Sequence, residues 1–136
     1  MELVIERRHL ELLKEHAKKE LPAEAVAILI GKVEGTRVLV NKVMPVKNVL
    51  NSATEFHVDP LELYKAYMEA EAKGLEVVGI FHSHPTTSYP SHLDRKYMRS
   101  NPVVWLITSS VTWETRAFVL KEELVEINLK IVEKIY

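Results

Sequence analysis

From His9 to Glu20 the apolar positions Leu10, Leu13, Ala17 and Leu21 recur at helical spacing with Lys and Glu between them, which predicts an amphipathic helix ended by Pro22. Ala25 to Ile30 reads AVAILI. It is continuously apolar and too short for a typical helix, so it predicts a strand covered on both faces and closed by Gly31. Thr36 to Pro45 is rich in Val and follows through Glu34-Gly35, the pattern of a hairpin, and the polar stretch from Lys47 to His57 predicts a loop.

Asp59-Pro60 predicts a helix start, with Asp59 as N-cap and Pro60 at the first helical position, where a missing N–H costs nothing. Leu61, Tyr64, Met68, Ala72 and Leu75 are expected to form its buried stripe, and Gly74 to supply the left-handed turn past its end. Glu76 to His84 predicts a strand stopped by Pro85. Val103 to Thr108 predicts another, with Thr115 to Leu120 beside it. Val125, Ile127, Leu129 and Ile131 alternate with polar residues as in a strand, while Leu124, Ile127, Ile131 and Ile135 fit a helix; a strand with a helical end is expected. Helices alternating with buried strands indicate an α/β fold with a mixed β-sheet flanked by helices, because the Gly35 hairpin is antiparallel.

Composition narrows the options. The 136 residues, 47% apolar, suit a single domain over 1–136. With 18 Lys and Arg against 19 Asp and Glu, no bulk positive charge points to nucleic acid or an anionic membrane. Met1 to Leu10 lacks the apolar core of a signal peptide, and no run approaches the ~18 apolar residues that cross a bilayer, so a cytoplasmic protein is expected. The chain has no Cys, hence no disulfide, thiolate ligand or Cys nucleophile, and any metal must be held by His and carboxylates. Only Asp59 and Asp94 are aspartates among the acidic residues, and the Lys and Glu richness is compatible with a heat-adapted source.

The segment Gly79-Ile80-Phe81-His82-Ser83-His84-Pro85, followed by Ser91-His92-Leu93-Asp94, carries the chemistry. Residues two apart on a strand project from one face, so His82 and His84 can aim both imidazoles at one point. If Thr86 to Pro90 folds back and Ser91 caps a short helix, Asp94 returns towards the two histidines. Two imidazoles and a carboxylate leave the fourth position of a zinc site to water, the catalytic pattern. Such a site needs a general base. Glu24, just before the first buried strand, is the leading candidate, because apolar surroundings there would raise its pKa. Bland readings compete: Ser91-x-x-Asp94 also matches a helix-capping box, and Glu24 alone is an ordinary residue at a strand's edge. His9, His16, His57 and His92 are expected to be structural or solvent-exposed.

Together these residues resemble the JAMM (MPN+) metalloprotease family, whose signature is a distant Glu, then His-Ser/Thr-His-Pro, then Ser-x-x-Asp. Glu24 to Gly31 resembles the family's glutamate strand, and Asn48, Phe56 and Asp59-Pro60 its lead into the helix before the histidines. Two departures stand out: Pro85 to Pro90 supply six residues where the family usually has seven, and Ala27 occupies a position where Gly is common. The resemblance implies the JAMM/MPN fold, a layered architecture shared with cytidine deaminases. It implies that His82, His84 and Asp94 bind Zn²⁺, that Glu24 moves the proton, and that Ser91 stabilises the tetrahedral intermediate.

The implied activity is a zinc-dependent isopeptidase removing ubiquitin-like modifiers from conjugates, its partner being a ubiquitin-like or sulfur-carrier protein with C-terminal glycines. Trimming of C-terminal adducts from sulfur carriers is the nearest alternative, and a non-catalytic scaffold is another. A nucleoside deaminase fits poorly, since the chain lacks the required His-x-Glu and Cys pair. Exposed Val and Ile on an edge strand would support a homodimer, although core packing explains them equally well.

Overall fold

A computed structural model describes residues 1–136 as β1 (Glu2–Glu6), α1 (Arg7–Glu20), β2 (Val26–Glu34), β3 (Arg37–Val46), α2 (Pro60–Ala72), β4 (Glu76–His84), α3 (His92–Ser100), β5 (Val104–Ser109), β6 (Thr115–Leu120) and β7 (Leu124–Val132). The strands form one mixed sheet in the order β1-β3-β2-β4-β5-β6-β7, closed by the parallel pairing of β1 with β7. The β1–β3 and β4–β5 pairs are also parallel, and the other four pairs are antiparallel. No helix is long and apolar enough to cross a membrane.

Periodicity does not reveal β1, because ELVIE offers too few positions for a period to register. Pairing on both sides buries its Leu3, Val4 and Ile5. For the same reason β7 is not an edge strand, which removes the edge-strand ground for a homodimer. The chain after Val132 is not helical, so the expected helical end of the tail is replaced by a longer strand.

Side chains alternate across the sheet and divide the core into two layers. Ala25, Ala27 and Leu29 pack with Phe81, Leu106 and the α1 residues Leu10, Leu13 and Ala17. Val26, Ile28 and Ile30 pack with Ile80, Trp105 and Ile107 beneath α2 and α3. A fully buried Leu or Ile contributes about 1.5–3 kcal/mol. The continuous apolar run of β2 is therefore explained by burial on both faces.

Gly31 does not close β2. The strand continues to Glu34 through a bulge at Ile30/Gly31, where a Cβ on residue 31 would lie 1.7 Å from the Leu39 carbonyl oxygen. Gly74 adopts the expected left-handed turn, with φ +69.

The predicted stripe of α2 is corrected at four of its five positions, Leu75 alone packing against the core. Leu61, Tyr64 and Met68 are 57%, 60% and 47% exposed, and Ala72 is exposed as well. The buried positions are Ala66 and Ala70, with Leu63 partly covered. Apolar residues occupy two faces of this helix, so spacing alone could not choose between them; the small alanines allow the closer approach to the sheet. Two histidines on α1 are structural, as expected, but off the polar side of the helix. His9 is buried, and His16 lies with Nε2 3.0 Å from the Val26 carbonyl, tying the helix to β2. His57 and His92 are exposed as expected.

Candidate metal centre and active site

The centre forms where β2 begins, β4 ends and α3 begins. Antiparallel pairing sets Val26 opposite His82, which brings Glu24 to the histidine end of β4. Ser83, between the two histidines, faces the other way and accepts the Ala25 N–H through Oγ at 2.9 Å, fastening the backbone beside Glu24. Asn48 is buried and donates from Nδ2 to the Glu24 carbonyl at 3.0 Å and to the Glu55 carbonyl at 3.1 Å; its Oδ1 accepts from Leu50 and His57. One amide thereby folds the 47–57 loop against the glutamate.

The shorter loop after Pro85 brings Asp94 into the centre. Ser91 is the N-cap of α3: its Oγ accepts the Asp94 N–H at 3.1 Å, while Asp94 Oδ2 accepts the Ser91 N–H at 2.8 Å. The capping box and the cluster are thus both present, sharing one carboxylate. Asp94 Oδ2 stands 2.9 Å from His84 Nε2 and 3.4 Å from His82 Nε2. Glu24 Oε1 lies 3.5 Å from His82 Nδ1, and Oε2 lies 3.8 Å from His84 Nε2. The imidazoles are edge-on, 4.5 Å between centroids, and Phe56 packs on His82 at 4.9 Å.

Glu24, His82, His84 and Asp94 are all buried. Burial alone would lower the pKa of His82, but the Asp94 and Glu24 carboxylates close to its two nitrogens outweigh it and raise the imidazole to about 9. Burial would raise the pKa of Asp94, but the histidines and the Ser91 N–H hold it well below the ordinary carboxylate range.

The donor set fits a metal. Both nitrogens of His82 and Glu24 Oε1 are buried without a hydrogen-bond partner, a costly state unless something else coordinates them. Glu24, His82 and His84 offer ligand atoms all within 4.8 Å of one another, and Asp94 Oδ2 adds a fourth at the Nε2 side. His84 Nδ1 lies 3.2 Å from the Thr87 carbonyl; donating there leaves the Nε2 lone pair for coordination. Glu24, His84 and Ser91 border a cleft of about 240 Å³ with Thr54, Thr86 and Tyr89, while His82 is fully buried beside His84. A larger cavity of about 330 Å³ is lined mainly by valines and lies away from this chemistry.

Residues 6–121 match the family described as prokaryotic homologs of the JAB domain. The chain belongs to this family. It is 46% identical over 101 residues to a desampylase of Pyrococcus furiosus, covering 74% of this chain and 69% of that protein. It is 37% identical over 123 residues to a Thermus thermophilus protein named "Probable TtuB-protein conjugate cleaving protease", covering 88% and 77% respectively. A solution structure from Desulfitobacterium hafniense aligns with TM-score 0.87 at 28% identity, over 99% of this chain and 95% of that one. A JAB1/MPN domain protein from Archaeoglobus fulgidus, at TM-score 0.60 and 21% identity over 96% and 99%, shares the fold.

Sequence reasoning missed the supports of this JAB-family site. Thr87, Ser88, Ser109, Ser110, Glu114 and Arg116 hold the segment between His84 and Ser91. The last four reach it from another strand pair, and no local pattern marks them.

Proposed function

We propose that this chain is a zinc-dependent isopeptidase that removes a ubiquitin-like small modifier from its conjugates. One observation carries the reading: two imidazoles and two carboxylates converge, buried and incompletely paired, beside an open cleft that Glu24 and His84 line. The names of the Pyrococcus and Thermus relatives support the substrate class.

His82, His84 and Asp94 are assigned as the residues that hold Zn²⁺. The ion would supply Lewis-acid polarisation of the scissile carbonyl and a water pKa of about 7. Every other part of the chemistry falls to the chain. Glu24, with Oε1 unpartnered in the cluster, accepts a proton from the attacking water and returns it to the leaving amine. Ser91 Oγ already accepts the Asp94 N–H, so its hydroxyl proton is free to be donated to the developing oxyanion. Asp94 is taken as a ligand and Glu24 as the base because both Nε2 atoms face Asp94, whose anion is stabilised at the N-terminus of α3.

The test is incubation of the purified chain, with and without Zn²⁺, with lysine conjugates of several ubiquitin-like proteins, read by mass spectrometry. Zinc-dependent release of intact modifier is expected. Failure to release any modifier, while other peptides are cleaved, would falsify the substrate assignment. A carrier bearing one additional C-terminal residue, included in the same panel, reports adduct trimming.

A further inference from the structure

A second linked set of side chains lies outside the chemistry described above and grips the wall of the cleft. Ser88 is buried while Thr86, Thr87 and Tyr89 on either side of it are exposed. Its hydroxyl donates to Glu114 Oε1 at 3.0 Å. The same oxygen receives Arg116 Nε and Nη2, both at 2.7 Å, and Arg116 Nη1 donates to Glu126 Oε2 on β7 at 2.9 Å. The guanidinium also covers the ring of Tyr89, 4.7 Å from its centroid, and that ring packs against Phe118. Arg116 therefore reaches the segment twice, directly through Tyr89 and through Glu114 to Ser88. A planar fork that binds a carboxylate with one edge and stacks on an aromatic ring is specific to arginine.

Between these two gripped residues and His84 lies Thr87. Its carbonyl faces His84 Nδ1 at 3.2 Å, and its hydroxyl accepts the Tyr89 N–H at 3.3 Å. Movement of Ser88 or Tyr89 therefore shifts the carbonyl that orients the imidazole. Groups of this kind typically change metal affinity or activity by about 10-fold to 100-fold when removed.

We propose that Arg116 is a positioning residue: through Glu114, Ser88 and Tyr89 it locks the 86–90 segment, so that the Thr87 carbonyl fixes the tautomer and orientation of His84 and tightens metal binding. The metal part rests on the proposed function; the locking does not. Arg116 is part-exposed and Glu114 half-exposed, so the ion pair itself adds little to global stability.

The experiment compares wild type with Arg116→Ala and Ser88→Ala, the second removing one hydroxyl and keeping the ion pairs. Backbone ¹⁵N relaxation of the metal-free proteins reads the locking, and competition with a chromophoric chelator reads Zn²⁺ affinity. Order parameters for 86–90 are expected to fall from about 0.85 to below about 0.6 in both variants, and affinity to fall about 10-fold, with little change in thermal midpoint. A segment that stays ordered, or a Zn²⁺ affinity that does not change, in either folded variant overturns the proposal. Should wild type bind no Zn²⁺, the proposed function fails instead, and the order parameters alone decide whether Arg116 holds the segment.

Discussion

Oδ2 of Asp94 stands 2.9 Å from Nε2 of His84 and accepts the Ser91 N–H as well, so one carboxylate oxygen joins the start of α3 to the imidazole pair. Two roles in one side chain predict two separable losses. Asp94→Ala is expected to lose Zn²⁺ binding and also about 1 kcal/mol of stability from the broken cap. Asp94→Asn keeps an oxygen for the Ser91 N–H and should retain most of that stability while binding zinc poorly. Metal content and thermal unfolding of the metal-free proteins separate the two effects.

Glu24 is assigned to proton transfer, and Glu24→Gln preserves its size while removing its basicity. The variant should bind about as much Zn²⁺ as wild type and turn over about 10²-fold to 10⁴-fold more slowly. Full activity would show that another group is the base; loss of the metal would make Glu24 a ligand.

The metal-free protein should have a defined pH profile. His82 is raised from 6.5 to about 9 in the folded state, so its contribution to stability is complete below pH 6.5 and is lost as pH rises through about 9. Asp94 is lowered from 3.8, so its contribution is present above that value and is lost as the solution is acidified below it. Denaturation midpoints of metal-free protein should therefore decline on both sides of the interval between these limits. Zinc must compete with protonation of His82, so Zn²⁺ affinity should increase with pH up to about 9, with proton release measurable by titration in weak buffer.

Gly31 permits the β2 bulge, and Gly31→Ala would drive a Cβ to within 1.7 Å of the Leu39 carbonyl oxygen. Relief requires β2 and β3 to separate, at a cost of about 3 kcal/mol or more. Gly35→Ala, at φ +64 with open space around it, should cost less. Urea denaturation of the two variants tests this order.

Strand periodicity places His82 and His84 on one face, and Ser91-x-x-Asp94 specifies a capped helix, because both are short-range consequences of backbone geometry. The same locality made β2, β4 and β5 legible, since burial on two faces leaves a continuous apolar run. The closing β1–β7 pair and the buried face of α2 were not legible: the first depends on partners at opposite ends of the chain, and the second on which of two apolar faces fits closely against the sheet. Sequence pattern and family resemblance together nominated Glu24, His82, His84, Ser91 and Asp94. Only tertiary structure could bring Glu24 beside His82 and set Arg116 over Tyr89, because those contacts are fixed by strand pairing and loop packing between distant segments.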